Sequence, residues 1–279
     1  LYSQGFNLNH HTDNIYRTYN VEWMPKISII TPSYNQGKFL EKTILSVLGQ
    51  NYHELEYIII DGGSTDDSVD IIEKYSKYLK YWISEKDKGQ THAINKGLKI
   101  ATGDIIGWIN SDDFYEKETL HKIANLYKSN GFDLVSGSCT MVDEKYSTIQ
   151  KLETPQINFN TLLKYWKPHF CPPQPSIFFR KEVFQALGYL DQSLHFGMDY
   201  DYWLKAAQQF KFTTIPDNLS YYLVHNESKT GSDIGFHRFV PEWKMIIKRE
   251  LKQQPLNVRL NYNLAHLAHK LSSLVKIPQ

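Results

Sequence analysis

The sequence predicts an α/β fold: a mostly parallel central sheet flanked by helices, with a helical extension at its C-terminal end. Short β-branched runs alternate with helical patterns from residue 26 onward, and 41% of the 279 residues are hydrophobic, enough for a sizeable core. No internal repeat or low-complexity segment interrupts this pattern.

The elements follow in order. "KISIIT" (26–31), "EYIIID" (56–61), "YWIS" (81–84) and "DIIGWIN" (104–110) read as buried strands. Between them lie "GKFLEKTILSVLGQ", "DDSVDIIEKYSKY" and "GQTHAINKGLKIA", which read as helices; in the last, Ile94, Gly97, Leu98 and Ala101 form an apolar stripe at helical spacing. Beyond about residue 130 the alternation weakens. Strand-like "DLVSGS" (133–138) and "PSIFFR" (175–180) surround a Pro-rich loop, a helix is predicted at about 199–209, and "LSYYLVH" (219–225) reads as a strand. Near the end, Leu256, Leu260, Leu264, Leu267, Leu271 and Leu274 recur at steps of three and four, with Arg259, His266, His269 and Lys270 among the polar positions of the same helix. The expected division is an N-terminal extension (1–25), a main domain (26–235) whose halves are 26–115 and 116–235, and a C-terminal amphipathic segment (236–279).

Net charge is +1, with 31 basic and 30 acidic residues, which gives no general attraction to nucleic acid. The balance is uneven: seven Lys/Arg and one Glu follow from Lys244 onward, leaving 24 basic and 29 acidic residues before it. Cys139 and Cys171 lie far apart and form neither a disulfide framework nor a zinc pattern, so a cytoplasmic setting is the simplest expectation. No apolar run approaches the length of a membrane span.

In parallel sheets ligands bind at the carboxyl ends of the strands. Those ends carry "TPSYN" (31–35), "DGGSTDD" (61–67), "SEKDKG" (84–89) and "NSDD" (110–113). Neither GxxxxGK[ST] nor GxGxxG is present, so a bound nucleotide's diphosphate needs another device, and a divalent cation on carboxylates supplies one. Asp112 and Asp113 close an apolar strand, where unpaired carboxylates are costly, and one or two carboxylates suffice for a cation that phosphate oxygens also hold. Asp61 ends a strand at the same edge and can accept the N3–H of a uracil or thymine, while Tyr34 can lay its ring on that base. Asp199 and Asp201 begin a helix and are candidates for a general base. His225 is a candidate metal or phosphate ligand, and Lys229 can neutralise a leaving diphosphate.

Taken together, "ISIITPSYN", "IIIDGGSTD", "SEKDKGQTHAINKG", "ATGDIIGWINSDD", "QPSIFFRKEVFQALGYLD" and "GMDYDYWL" resemble, in order, the motifs of family 2 glycosyltransferases, inverting enzymes of the GT-A fold. The resemblance covers about residues 26–232. It implies that Pro32 and Tyr34 line a nucleobase pocket, that Asp61 reads the base, and that Asp87 lies near the nucleotide. Asp112 and Asp113 correspond to the DXD-type motif, with Asp113 as the direct metal ligand and Asp112 nearer the ribose or sugar. The family's ED pair falls on Met198 and Asp199; Met198 departs from that pattern, and Asp201 offers a second carboxylate two positions on. His92 is a further departure.

The resemblance thus implies a hexosyltransferase that uses Mn²⁺ or Mg²⁺ to move a sugar from a nucleoside diphosphate sugar, with a UDP- or dTDP-sugar favoured, to a glycan or lipid-linked acceptor in cell-surface polysaccharide or glycoconjugate synthesis. A sugar-phosphate nucleotidyltransferase and a non-catalytic nucleotide-sugar or glycan-binding module are the alternatives. "TPSYNQGKF" is a poor version of the basic Gly-rich loop the former needs, and substitution of Asp199 would leave the latter's binding unchanged. For the C-terminal helix two readings stand: packing of its Leu stripe on the domain, or peripheral adhesion to an anionic membrane.

Overall fold

The computed structural model describes residues 23–226, 228–229 and 233–275, so nearly all of the expected N-terminal extension lies outside the described residues. The chain begins with β1 (Ile27–Ser33), α1 (Gly37–Leu48), β2 (Leu55–Asp61), α2 (Ser68–Tyr75), β3 (Tyr81–Ser84), α3 (Gln90–Ile100) and β4 (Ile105–Trp108). It continues with β5 (Phe114–Tyr115), α4 (Thr119–Asn130), β6 (Leu134–Val142), β7 (Thr148–Leu152), α5 (Phe159–Leu162), β8 (Ile177–Arg180), α6 (Lys181–Leu187), α7 (Met198–Ala206) and β9 (Phe212–Leu223). Two long helices, α8 (Asp233–Lys252) and α9 (Leu256–Val275), complete it.

One sheet runs in the order β3-β2-β1-β4-β8-β6-β9-β5, with β7 beside β6. β3, β2, β1 and β4 are mutually parallel, as the alternation of strands and helices predicts. Beyond β4 the sheet is mixed: β8 is antiparallel to both β4 and β6, β6 and β9 are parallel, β5 is antiparallel to β9, and β7 is antiparallel to β6. The parallel half is thus smaller than the sequence suggests, because after β4 the chain no longer returns through a helix to the next strand position.

β1 is buried along its whole length because helices cover both faces. Its alternating side chains feed two cores. Ile27 and Ile29 join Leu40, Ile44 and Val47 of α1, while Ile30 joins Ile94 and Leu98 of α3. Trp243, Ile246 and Ile247 of α8 enter the second of these cores, so α8 is continuous with the main domain. α9 is held differently. Its Tyr262, His266 and His269 side meets Trp166, whose ring stacks on His266 at 5.0 Å and His269 at 5.4 Å. The described leucines of its stripe, Leu256 to Leu271, are 50–66% exposed, which overturns the reading that they pack on the domain; the aromatic side of the helix does that instead.

Candidate active site

The carboxyl ends of β1 to β4 open into a cavity of about 650 Å³, walled by Pro32, Ser33, Tyr34, Gly62, Gly63, Asp87, Asn110 and Asp112, with His195, Phe196 and Lys229 across from them in the wall. The glycines after β2 suit this geometry, Gly63 through its left-handed φ and Gly62 through close approach to a side chain. A Cβ on Gly62 would lie 3.2 Å from the Asp87 carboxyl, and Gly63 adopts φ +82° with 3.0 Å between a built Cβ and the Lys86 nitrogen. A smaller cavity of about 280 Å³ adjoins the first, sharing Gln90, Asn110, His195, Phe196, Tyr222 and Lys229. Asp199 lines only the smaller one, together with an apolar wall that includes Met141, Leu152, Pro175 and Phe239.

The expected site residues divide sharply by placement. Pro32, Tyr34, Asp87, Asp112 and Lys229 line the larger cavity. Asp61 does not: it is fully buried, with one oxygen accepting from the Ser64 hydroxyl and the other from the Gly63 and Ser64 amides and the Ser84 hydroxyl. Its carboxylate is spent on holding the loop, so the expectation that it reads a base does not fit its surroundings. Asp87 has one oxygen taken by the Gly89 amide at 2.7 Å and presents its carboxyl to the cavity.

The two members of the Asp112–Asp113 pair also part company. Asp113 is fully buried; it accepts the Leu223 amide of β9 at 3.1 Å and the Asn110 side-chain amide at 3.2 Å. Burial, reinforced by the Asp112 charge, pushes its carboxyl well above the usual range. Asp113 lines neither cavity, so the expected direct metal bond would need its carboxyl to turn from the Leu223 and Asn110 donors. Asp112 is the carboxylate on the cavity wall, and its Oδ2 lies 3.1 Å from His225 Nε2. His225 is itself buried and packs its ring on Phe39, with centroids 4.4 Å apart.

Of the two helix-start carboxylates, Asp201 is removed from any cavity. It is 1% exposed, and it accepts from Lys205 Nζ at 2.8 Å and from the Arg249 guanidinium of α8. It is a structural ion pair and not a base. Asp199 is half-buried and accepts the Tyr200 amide at 2.7 Å. Burial raises its pKa, opposed by that amide and by the Lys229 charge. Burial likewise lowers Lys229, against the pull of Asp199, Glu242 and Asp112. The Lys229 ammonium donates to Gln90 Oε1 at 2.6 Å and to the His195 carbonyl at 3.1 Å.

Other contributors are not singled out by the sequence. Gln90 donates to Asn110, Asn110 donates onward to Gln174, and Gln174 donates to the Trp108 carbonyl, an amide relay joining the two cavities. These amides sit within the motif strings but carry no charge to draw attention. Ser33 and Gln36 bring a buried hydroxyl and a side-chain carbonyl to the larger cavity with no partner among the described residues, polar capacity that a ligand can meet. Glu242, on α8, accepts the amides of His195, Phe196 and Gly197 at 3.1, 2.9 and 2.7 Å and so fixes the loop that walls both cavities and starts α7. His92 accepts the Lys88 amide at 3.3 Å and lines neither cavity.

A strand-end cleft of this kind, with one carboxylate facing the larger cavity beside an imidazole and a second carboxylate in the smaller one, lies where open α/β sheets place their ligands. Residues 28–188 match glycosyl transferase family 2, and the chain belongs to that family. It is 26% identical over 214 residues to an uncharacterized glycosyltransferase of Nostoc sp., a match that takes in 72% of this chain and 65% of that protein. The chain thus spans less than two thirds of that relative's length. Among solved structures its fold is similar to Staphylococcus aureus TarS in complex with UDP, with a TM-score of 0.63 and 22% identity over 83% of this chain and 67% of that one. It is also similar to the mannosyltransferase PcManGT of Pyrobaculum calidifontis in complex with GDP-Man and Mn²⁺, with a TM-score of 0.56 and 16% identity over 92% of this chain and 82% of that one. The architecture is that of the GT-A glycosyltransferases.

Proposed function

We propose that this protein is an inverting glycosyltransferase that moves a hexosyl group from a nucleoside diphosphate sugar to an acceptor hydroxyl. The observation that carries this reading is the junction of the two cavities: Lys229 belongs to both, Asp112 to the larger and Asp199 to the smaller. The donor occupies the larger cavity, with its base between Tyr34, Pro32 and Asp87. Asp87 takes the part that Asp61 cannot, accepting a ring N–H, which suits uracil or thymine. TarS was captured with UDP, in keeping with that preference. The acceptor is a saccharide hydroxyl on a polysaccharide, a glycoconjugate or a lipid-linked glycan, entering the smaller cavity along its apolar wall.

Asp112 and His225 are the residues that fit a divalent cation, Mn²⁺ or Mg²⁺. No cluster of three or more His, Cys, Asp or Glu suited to a metal occurs among the described residues, so such an ion would need diphosphate oxygens to complete its shell. When bound, it neutralises charge on the leaving diphosphate. The chain's own residues do the rest. Lys229 adds its positive charge beside the diphosphate, and Gln90 and the His195 carbonyl hold that ammonium in place. Asp199 accepts the proton of the attacking hydroxyl as the new C–O bond forms on the face of the anomeric carbon opposite the departing diphosphate, and the configuration inverts.

Thermal unfolding with UDP, dTDP, GDP and CDP, each with and without Mn²⁺, tests the donor site. Saturation at about 100-fold over Kd adds roughly 2.7 kcal/mol of stability. One nucleotide should stabilise the protein, the shift should grow with Mn²⁺, and Asp112→Asn should remove the metal-dependent part. If no nucleotide shifts the melting temperature, the donor assignment fails.

A further inference from the structure

α9 is fastened to the domain by one side and presents another to solvent. Tyr262, His266 and His269 lie against Trp166, and the Tyr165 hydroxyl sits 3.3 Å from His266 Nε2. On another face Leu256, Leu260, Leu264, Leu267 and Leu271 stand 66, 50, 65, 54 and 54% exposed. These leucines share a narrow arc of the helix and extend over about 22 Å at 1.5 Å per residue. Isolated exposed leucines are ordinary; a continuous row of five on one helix is a contact surface.

The charge on this segment selects the partner. Residues 251–279 contain Lys252, Arg259, Lys270 and Lys276 and no Asp or Glu, whereas residues 1–243 carry an acidic excess. Arg259 and Lys270 are exposed and fall on one flank of the leucine arc. A second copy of the helix would meet this face with the same basic side chains and no acidic ones to pair with them, unlike the opposite charges that flank self-pairing helices. An anionic lipid surface offers both an apolar layer for the leucines and negative charge for the flank. We propose that α9 is an interfacial helix that docks the protein, leucines inward, on an anionic membrane. No described helix is long and apolar enough to cross a membrane, so the contact lies in the interface plane. This inference is independent of the transfer chemistry.

The test is flotation of the 279-residue chain with phosphatidylcholine vesicles, with and without phosphatidylglycerol. The chain should bind the phosphatidylglycerol vesicles preferentially and release them as salt is raised. Leu264→Glu with Leu267→Glu should abolish binding while leaving the melting temperature unchanged, since both side chains are exposed. Arg259→Gln with Lys270→Gln, which keeps every leucine, should weaken binding by about twenty-five-fold, from about five-fold per basic residue. Equal binding to both vesicle types, or leucine variants that bind like the parent chain, overturns the proposal. So does a dimer, seen by sedimentation without vesicle binding, that the leucine variants dissolve.

Discussion

Glu242 is the residue whose removal best separates the architecture of the site from its chemistry. Its carboxylate accepts three consecutive backbone amides, those of His195, Phe196 and Gly197, from a helix 45 to 47 residues away in sequence. His195 is exposed, so its amide can turn to water in Glu242→Ala; Gly197 is buried and Phe196 half-buried, and their amides cannot do so freely. Hydrogen bonds to charged groups contribute about 1.5–3 kcal/mol each, so losing two should cost about 3–6 kcal/mol. At about 2–4 °C per kcal/mol for a chain of this size, the melting temperature should fall by roughly 6–24 °C. The loop also supplies the carbonyl that holds Lys229 and leads into Asp199, and a displacement of about 1 Å in such elements costs on the order of 100-fold in rate. Glu242→Gln keeps an acceptor oxygen and should recover part of both losses. Melting curves and initial rates of nucleoside diphosphate release measure the two effects. If Glu242→Ala melted like the parent and turned over at the parental rate, the loop would be held by something other than this carboxylate.

Two further substitutions separate catalysis from stability. Burial holds the Asp199 pKa above its unfolded value, so the stability linked to its protonation is present below the unfolded pKa and is lost as pH rises through the folded one. Asp199→Asn should therefore slow transfer by about 10²–10⁴-fold without lowering the melting temperature at neutral pH, and the parent's rate should rise with pH along an acid limb displaced above the ordinary carboxylate range; a destabilised variant that retained turnover would refute this. Arg249→Ala should cost about 3 kcal/mol, because it leaves the buried Asp201 carboxylate with Lys205 alone; chemical denaturation that found no loss would show that the Arg249 pairing contributes nothing.

The parallel half of the sheet was legible because its strands are covered on both sides, and double burial writes itself as unbroken apolar runs such as the "YIII" of "EYIIID". The mixed half was not, since antiparallel insertion of β8 between β4 and β6 depends on pairing between segments roughly 70 and roughly 40 residues apart, which no local periodicity records. The ligand edge was legible from the strand ends alone. The leucine row of α9 misled in the opposite sense: helical periodicity identifies an apolar face but not what it faces, and here Trp166 attracts the aromatic and imidazole side instead.

The site carboxylates show where local sequence loses its power. Asp112 and Asp113 are neighbours, and Asp199 and Asp201 are two apart on one helix, so spacing alone does not separate the members of either pair. What separates them lies far along the chain. Asp113 is taken inward by the Leu223 amide, 110 residues away, and Asp201 by Arg249, 48 residues away, leaving Asp112 and Asp199 to face the cavities. In both pairs one carboxylate serves the fold and the other lines a cavity. A buried carboxylate requires partners, and those partners hold Asp113 and Asp201 away from the cavity walls. The same reasoning withdraws Asp61, whose two oxygens already hold the loop after β2, and brings forward Asp87, which keeps part of its carboxyl turned to the cavity.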